Sequence, residues 1–138
     1  MKLFQSMATS VSALTAERLR MDLISSNIAN INTTRTAEGG PYRRKVPIFA
    51  EVLQQNMEGE TVGQGVKVSA IREDGSPPKM IFDPEHPDAN DEGYVAMPNI
   101  NVVKEMVDLV TATRTYEANV TVLNAAKTIA TKALTIGR

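Results

Sequence analysis

An α+β fold is predicted for this chain of 138 residues: two long terminal helices forming a coiled-coil or helical-hairpin rod, with a small irregular β insert between them. Three observations point there. The last third, Asn101 to Gly137, contains no interrupting Gly or Pro and repeats apolar residues in alternating steps of four and three. The N-terminal stretch carries a second, looser helical periodicity. Between them the chain changes to short alternating runs broken by Gly and Pro. The expected division is 1–32 for the first helix, 33–98 for an extended connector and β insert, and 99–138 for the second helix, the two helices together making the rod core.

The first helix is expected from about Leu3 to Ile31. Met7, Val11, Leu14, Met21 and Ile28 fall near one face, with Leu3 and Ile24 adjoining, although Arg18 and Ser25 interrupt the stripe. Asn27-Ile28-Ala29-Asn30, followed by Asn32-Thr33, is the stop signal. Asn tolerates the left-handed backbone that ends helices, and its side chain can take orphan helix-end groups.

In the insert, Glu38-Gly39-Gly40-Pro41 signals a turn. Val46 to Phe49 reads as a short edge or irregular strand because Pro47 cannot donate to a ladder. Val66 to Ala70 alternates like a half-buried strand, and Met80–Phe82 and Tyr94–Met97 are two more. An acidic loop with two prolines, Asp83 to Gly93, separates the last pair. Asn101 is the expected N-cap of the final helix, with Glu105 and Asp108 near its positive end.

That helix predicts a seam of Val102, Met106, Leu109, Thr113, Tyr116, Val120, Leu123, Lys127, Ala130 and Leu134, in which only Thr113 and Lys127 break the apolar run. At roughly 50 Å it is longer than a sphere built from this chain would be wide. It therefore packs along the first helix, against other chains, or both. Asn119 beside Tyr116 reads either as a partly buried register-setting Asn or as an Asn on the solvent face.

Composition narrows the function. Net charge is −1, which disfavours a general nucleic-acid binder. No Cys is present, so disulfide scaffolds and thiol chemistry are excluded. No apolar block near the start is long enough for a secretory leader or a membrane span. His86 has no second histidine to pair with and reads as a structural turn residue. Asp88, Asn90, Glu92 and Gly93 imitate the first half of a calcium loop, but Asn99 stands where the bidentate Glu is needed. No metal or cofactor is expected. A metal-assisted hydrolase would need a ligand set that His86 and this loop do not supply. The cluster Arg43-Arg44-Lys45 reads as a surface patch pairing with acids of its own or a neighbouring chain.

The segment Leu14 to Thr33, marked by Asn27-Ile28-Ala29-Asn30 and Asn32-Thr33, resembles the N-terminal motif of the bacterial flagellar rod and hook family. Glu105 to Asn119 resembles that family's C-terminal motif, and Gly39 to Lys45, Asp83 to Ala89 and Asp91 to Asn101 resemble its proximal-rod members. The blocks follow in order over nearly the whole chain. One departure is the stretch from Thr34 to Glu38 before Gly39, where the family often turns at a Gly directly after Thr33. The resemblance implies a non-enzymatic building block of the basal-body rod, exported unfolded through the flagellar type III apparatus without a cleaved signal and assembled in the periplasm. The implied partners are other copies of itself and other rod proteins (FlgB, FlgF, FlgG, FliE), with no nucleic acid and no direct membrane insertion.

The assembly interface expected on this basis is Met7, Val11, Leu14, Met21, Asn27, Ile28 and Asn30 on the first helix, with Val102, Met106, Leu109, Tyr116, Asn119, Val120, Leu123 and Leu134 on the second. Leu109→Asp or Leu123→Asp should then abolish assembly, and Arg43, Arg44 and Lys45 should face acids of an adjoining subunit. The terminal helices should be poorly ordered alone and fold as they dock. A coiled-coil adaptor that never polymerises is the competing expectation.

Overall fold

A computed structural model describes residues 2–55 and 61–137. Helix α1 spans Lys2–Ala29 and helix α2 Val102–Ile136, with strands β1 (Lys45–Gln55), β2 (Thr61–Glu73), β3 (Lys79–Phe82) and β4 (Tyr94–Met97) between them. The fold is therefore α+β with long terminal helices and two small antiparallel sheets, β1–β2 and β3–β4. Both helices are formed within the single chain and pack on each other as an antiparallel pair.

α1 ends as its asparagines foretell, but by another device. The Asn30 amide donates to the Ser26 carbonyl at 2.8 Å, and Thr33 donates to Asn30 Oδ1. These bonds satisfy the last turn, and no described non-glycine residue adopts a positive φ. At the other helix, Asn101 is the N-cap, accepting the Lys104 N–H on its side chain.

β1 and β2 are longer than their apolar alternation implies. They form one ribbon, registered from Lys45↔Glu73 to Gln55↔Thr61, with irregularities between Ile48 and Phe49 and between Glu51 and Leu53. A two-stranded ribbon is marginal alone. This one lies along α1, and the Val66 N–H donates to the Ser12 hydroxyl at 3.0 Å. Gly65 permits that approach: its φ is +123°, and a Cβ there would meet Ser12 Oγ at 2.2 Å. α1 is thus covered by α2 and by the ribbon, whereas among the described residues α2 packs on no helix or strand but α1.

Among the described residues the β3–β4 hairpin packs on no other helix or strand. The Phe82 and Tyr94 rings meet edge to face, 5.2 Å between centroids, across its register. Its acidic loop is tied to the segment after α1 by Asp88, which accepts from Thr34 at 2.8 Å and pairs with Arg35. The hairpin therefore sits at the end of the rod where α1 stops and α2 starts.

Candidate assembly site

A buried polar clasp joins the N-terminal and C-terminal motifs. Asn27 is 1% exposed. Its amide donates to the Lys45 carbonyl at 2.9 Å and to Glu105 Oε2 at 3.2 Å. Its carbonyl oxygen accepts the Lys45 N–H at 2.9 Å and the Tyr42 hydroxyl at 3.1 Å. All four hydrogen-bonding capacities of the side chain are used. Glu105, wholly buried, also pairs with Arg44, whose guanidinium reaches Asp108 at 3.6 Å. One asparagine thereby fixes the end of α1, the start of β1 and the first turn of α2. Asn27 belongs to the interior and leaves the expected assembly interface; Asn30 is spent on capping its own helix.

The charge triplet is corrected by the same clasp. Arg44 is turned into its own chain, with 18% of its side chain exposed. Lys45 is held through its backbone, and its ammonium lies 5.8 Å from the Tyr42 ring centroid, within cation–π range. Arg43 alone of the three is exposed.

One of the two expected columns of α2 meets α1, and the other is rotated away. Val102, Leu109, Tyr116, Leu123 and Ala130 are half-buried, as a seam requires. The companion column is Glu105, Ala112, Asn119 and Ala126, of which Glu105, Ala112 and Ala126 are buried. Met106, Thr113, Lys127 and Leu134 of the predicted column are exposed, and Val120 is half-buried. Small alanines let the helices approach, and Glu105 selects this rotation through Asn27 and Arg44. A shift of one residue turns a helix face by about 100°, so hydrophobicity alone misassigned the column. The same heptad rhythm run through Val102, Glu105 and Leu109 would have found it, but a charged residue discouraged that reading. Asn119 is half-buried and donates to the Thr115 carbonyl of its own helix.

On α1, Ser10, Ala16, Leu23, Ile24 and Asn27 are the buried residues. Met7, Leu14, Met21 and Ile28 are half-buried, and Val11 is 47% exposed. Ser12, which sequence reasoning missed, faces the ribbon because the chain alternates two neighbours around α1. No periodicity of one stripe could reveal it.

The acidic loop spends its calcium-like side chains on protein donors. Asn90 accepts the N–H groups of Glu92 and Tyr94, and His86 Nδ1 accepts the Asp88 N–H at 3.0 Å. The Thr34 hydroxyl, with Arg35 beside it, holds the Asp88 carboxyl below its usual 3.8.

α2 carries a second apolar stripe opposite the α1 seam. Val103, Val107, Val110, Val122, Ile129 and Ile136 are exposed, Val103 at 70% and Ile136 at 84%. Ala118, Ala125 and Ala133 fill the steps between them, and Arg114 is the only charge on the line. Exposed apolar stripes of this length mark interaction surfaces.

Residues 7–35 match the family described as flagella basal body rod protein, and residues 91–136 match the flagellar basal body rod FlgEFG protein C-terminal family. The flagellar basal-body rod protein FlgC of Bacillus subtilis is 51% identical across all of both chains. The FlgC of Borreliella burgdorferi is 47% identical over 99% of this chain and 98% of its own. That of Aquifex aeolicus is 42% identical over 94% and 92%. Likeness to rod proteins over the full length favours the rod reading over the adaptor. The chain belongs to the FlgC family of flagellar basal-body rod proteins, structural components of the basal body.

Proposed function

We propose that this chain is a non-enzymatic rod subunit that polymerises by burying the outward stripe of α2 against neighbouring subunits. The carrying observation is that stripe, a helix face about 50 Å long with no partner helix or strand among the described residues. Other copies and the rod proteins FlgB, FlgF, FlgG and FliE are the proposed neighbours. Unlike patches meeting without closure generate a helical array. Burying about 300 Å² per contact is worth roughly 7 kcal/mol before association costs, far above the ~0.5 kcal/mol of an exposed ion pair. Export through the flagellar type III apparatus without a cleaved signal, and a periplasmic place in the rod, complete the reading. No described helix is long and apolar enough to cross a membrane, which agrees with a subunit held by protein contacts.

The test is Val107→Asp with Val122→Asp in the full chain. Leu109 and Leu123 are unsuitable, because they are half-buried on the α1 seam and Asp there would open the hairpin. The expected result is a folded, secreted protein that leaves cells without rods by electron microscopy. Normal rods and motility would reject the reading.

A further inference from the structure

The two terminal helices are electrically polar along their length, although Glu51 of the ribbon lies beside the distal half of α1. No acidic residue precedes Glu17, and none follows Glu117. The distal end of the helix pair therefore carries only cations from α1 and α2, whereas the head carries the acidic loop. Asn27–Glu105 and the 3.6 Å approach of Thr113 to Met21 set the antiparallel register. By that register Lys2 lies opposite about residue 131, so the last turn of α2 runs past the start of α1. Along this distal part of α2, Asn124, Lys127, Thr128, Thr131 and Lys132 line a shallow groove whose walls are largely the apolar stems of these side chains. Lys127 and Lys132 are exposed, and among the described residues neither takes part in an ion pair. The β1–β2 ribbon packs on α1 and not on α2, so it does not cover this groove. At the other end, Asp83, Glu85, Asp91 and Glu92 are exposed and equally without ion pairs among the described residues, on a loop braced by Asp88 and Asn90.

We propose that the distal lysine face of α2 receives the acidic β3–β4 loop of a second copy of this chain, head to tail. The inference rests on the polymerisation reading above and adds the direction and partner of one contact. Charge complementarity selects this occupant: the face offers two unpaired cations, and the braced loop offers four unpaired carboxylates. Such a contact is heterologous and open, so it extends along an axis instead of closing a dimer. Steering by opposite charges sets which ends meet, while the apolar stripe supplies the binding strength.

The experiment is sedimentation of the full-length protein in three forms: unaltered, Lys127→Glu with Lys132→Glu, and Asp91→Lys with Glu92→Lys. Circular dichroism melts confirm that the variants fold, since all four side chains are exposed. Each variant alone should associate about tenfold more weakly at low salt, and the difference should shrink as added salt screens the charges. An equal mixture of the two variants should recover association to within about twofold of the unaltered chain, because each head then meets a complementary tail. Variants that associate like the unaltered chain, or a mixture that recovers nothing, would overturn the head-to-tail contact alone. An unaltered chain that remains monomeric would overturn the polymerisation reading with it. A last arm uses phosphatidylglycerol vesicles. If the double lysine reversal abolishes vesicle binding but leaves self-association unchanged, the face is a lipid-headgroup surface and the proposal is wrong.

Discussion

α1 and α2 are both long helices, yet they stand in opposite situations. α1 is enclosed between α2 and the β1–β2 ribbon, and its polar residues are put to structural use: Ser12 on the ribbon, Asn27 in the clasp. Among the described residues α2 packs on one element only, and large apolar side chains stay exposed along its length. The difference teaches that a helix with mixed, untidy periodicity can be the internal one. Two neighbours of different kind ask for two different faces, and neither asks for a continuous apolar line. The helix with apolar residues on two opposite faces is the one left open on one of them.

That contrast can be broken most severely at the clasp. Asn27→Asp keeps the shape but removes both donors and sets a carboxylate beside buried Glu105. Urea unfolding should show a loss of about 3–5 kcal/mol, as for a broken buried charge pair. Gly65→Ala strikes the other side of α1. Its Cβ collides with Ser12 and its backbone prefers negative φ, so a loss of about 2–3 kcal/mol is expected in the same assay. A matched pair sharpens the comparison. Leu23→Ala on α1 should cost about 2–3 kcal/mol of monomer stability, whereas Val122→Ala on α2 should stay within about 0.5 kcal/mol while weakening assembly. If the two truncations destabilise the monomer equally, α2 is not open as described.

The smallest effect concerns pH at the head. The Asp88 carboxyl is held below its ordinary value by the Thr34 hydroxyl and Arg35. A carboxyl with a depressed folded pKa contributes stability that is present above the unfolded value and lost as pH falls through the folded one. The tie between the acidic loop and the connector should therefore loosen only below about pH 4. Asp88→Asn should abolish that acid dependence and lower the neutral-pH protection of the amides from Thr34 to Thr36 in hydrogen exchange to what the unaltered chain keeps in acid.

Much of this architecture is legible in the residues. The unbroken run after Asn101, the stop at Asn30 and the turn at Gly39-Gly40 put both helices and the connector in place, because local backbone chemistry decides them. The ribbon's length is not legible, since Lys45, Glu51 and Gln64 have no alternation to betray a strand; its extension depends on support from α1. The rotation of α2 is also hidden. Met106 is more apolar than Glu105, and only the tertiary partners Asn27 and Arg44, brought from far along the chain, make the acid the better buried residue. The same holds for the assembly surface: a seam that can be read from one sequence does not say which of two opposite faces a neighbouring helix in the same molecule has already taken.

The clasp also has a consequence for when the molecule becomes rigid. Its two ends, Asn27 and Glu105, are 78 residues apart. Contacts of such separation form late, after a long loop has closed. A chain threaded through a narrow passage from its N-terminus can make its first helix early, yet it cannot lock that helix to anything until most of its length has come through. On the export route proposed above, the latch would keep the molecule pliable in transit and set it firm on arrival.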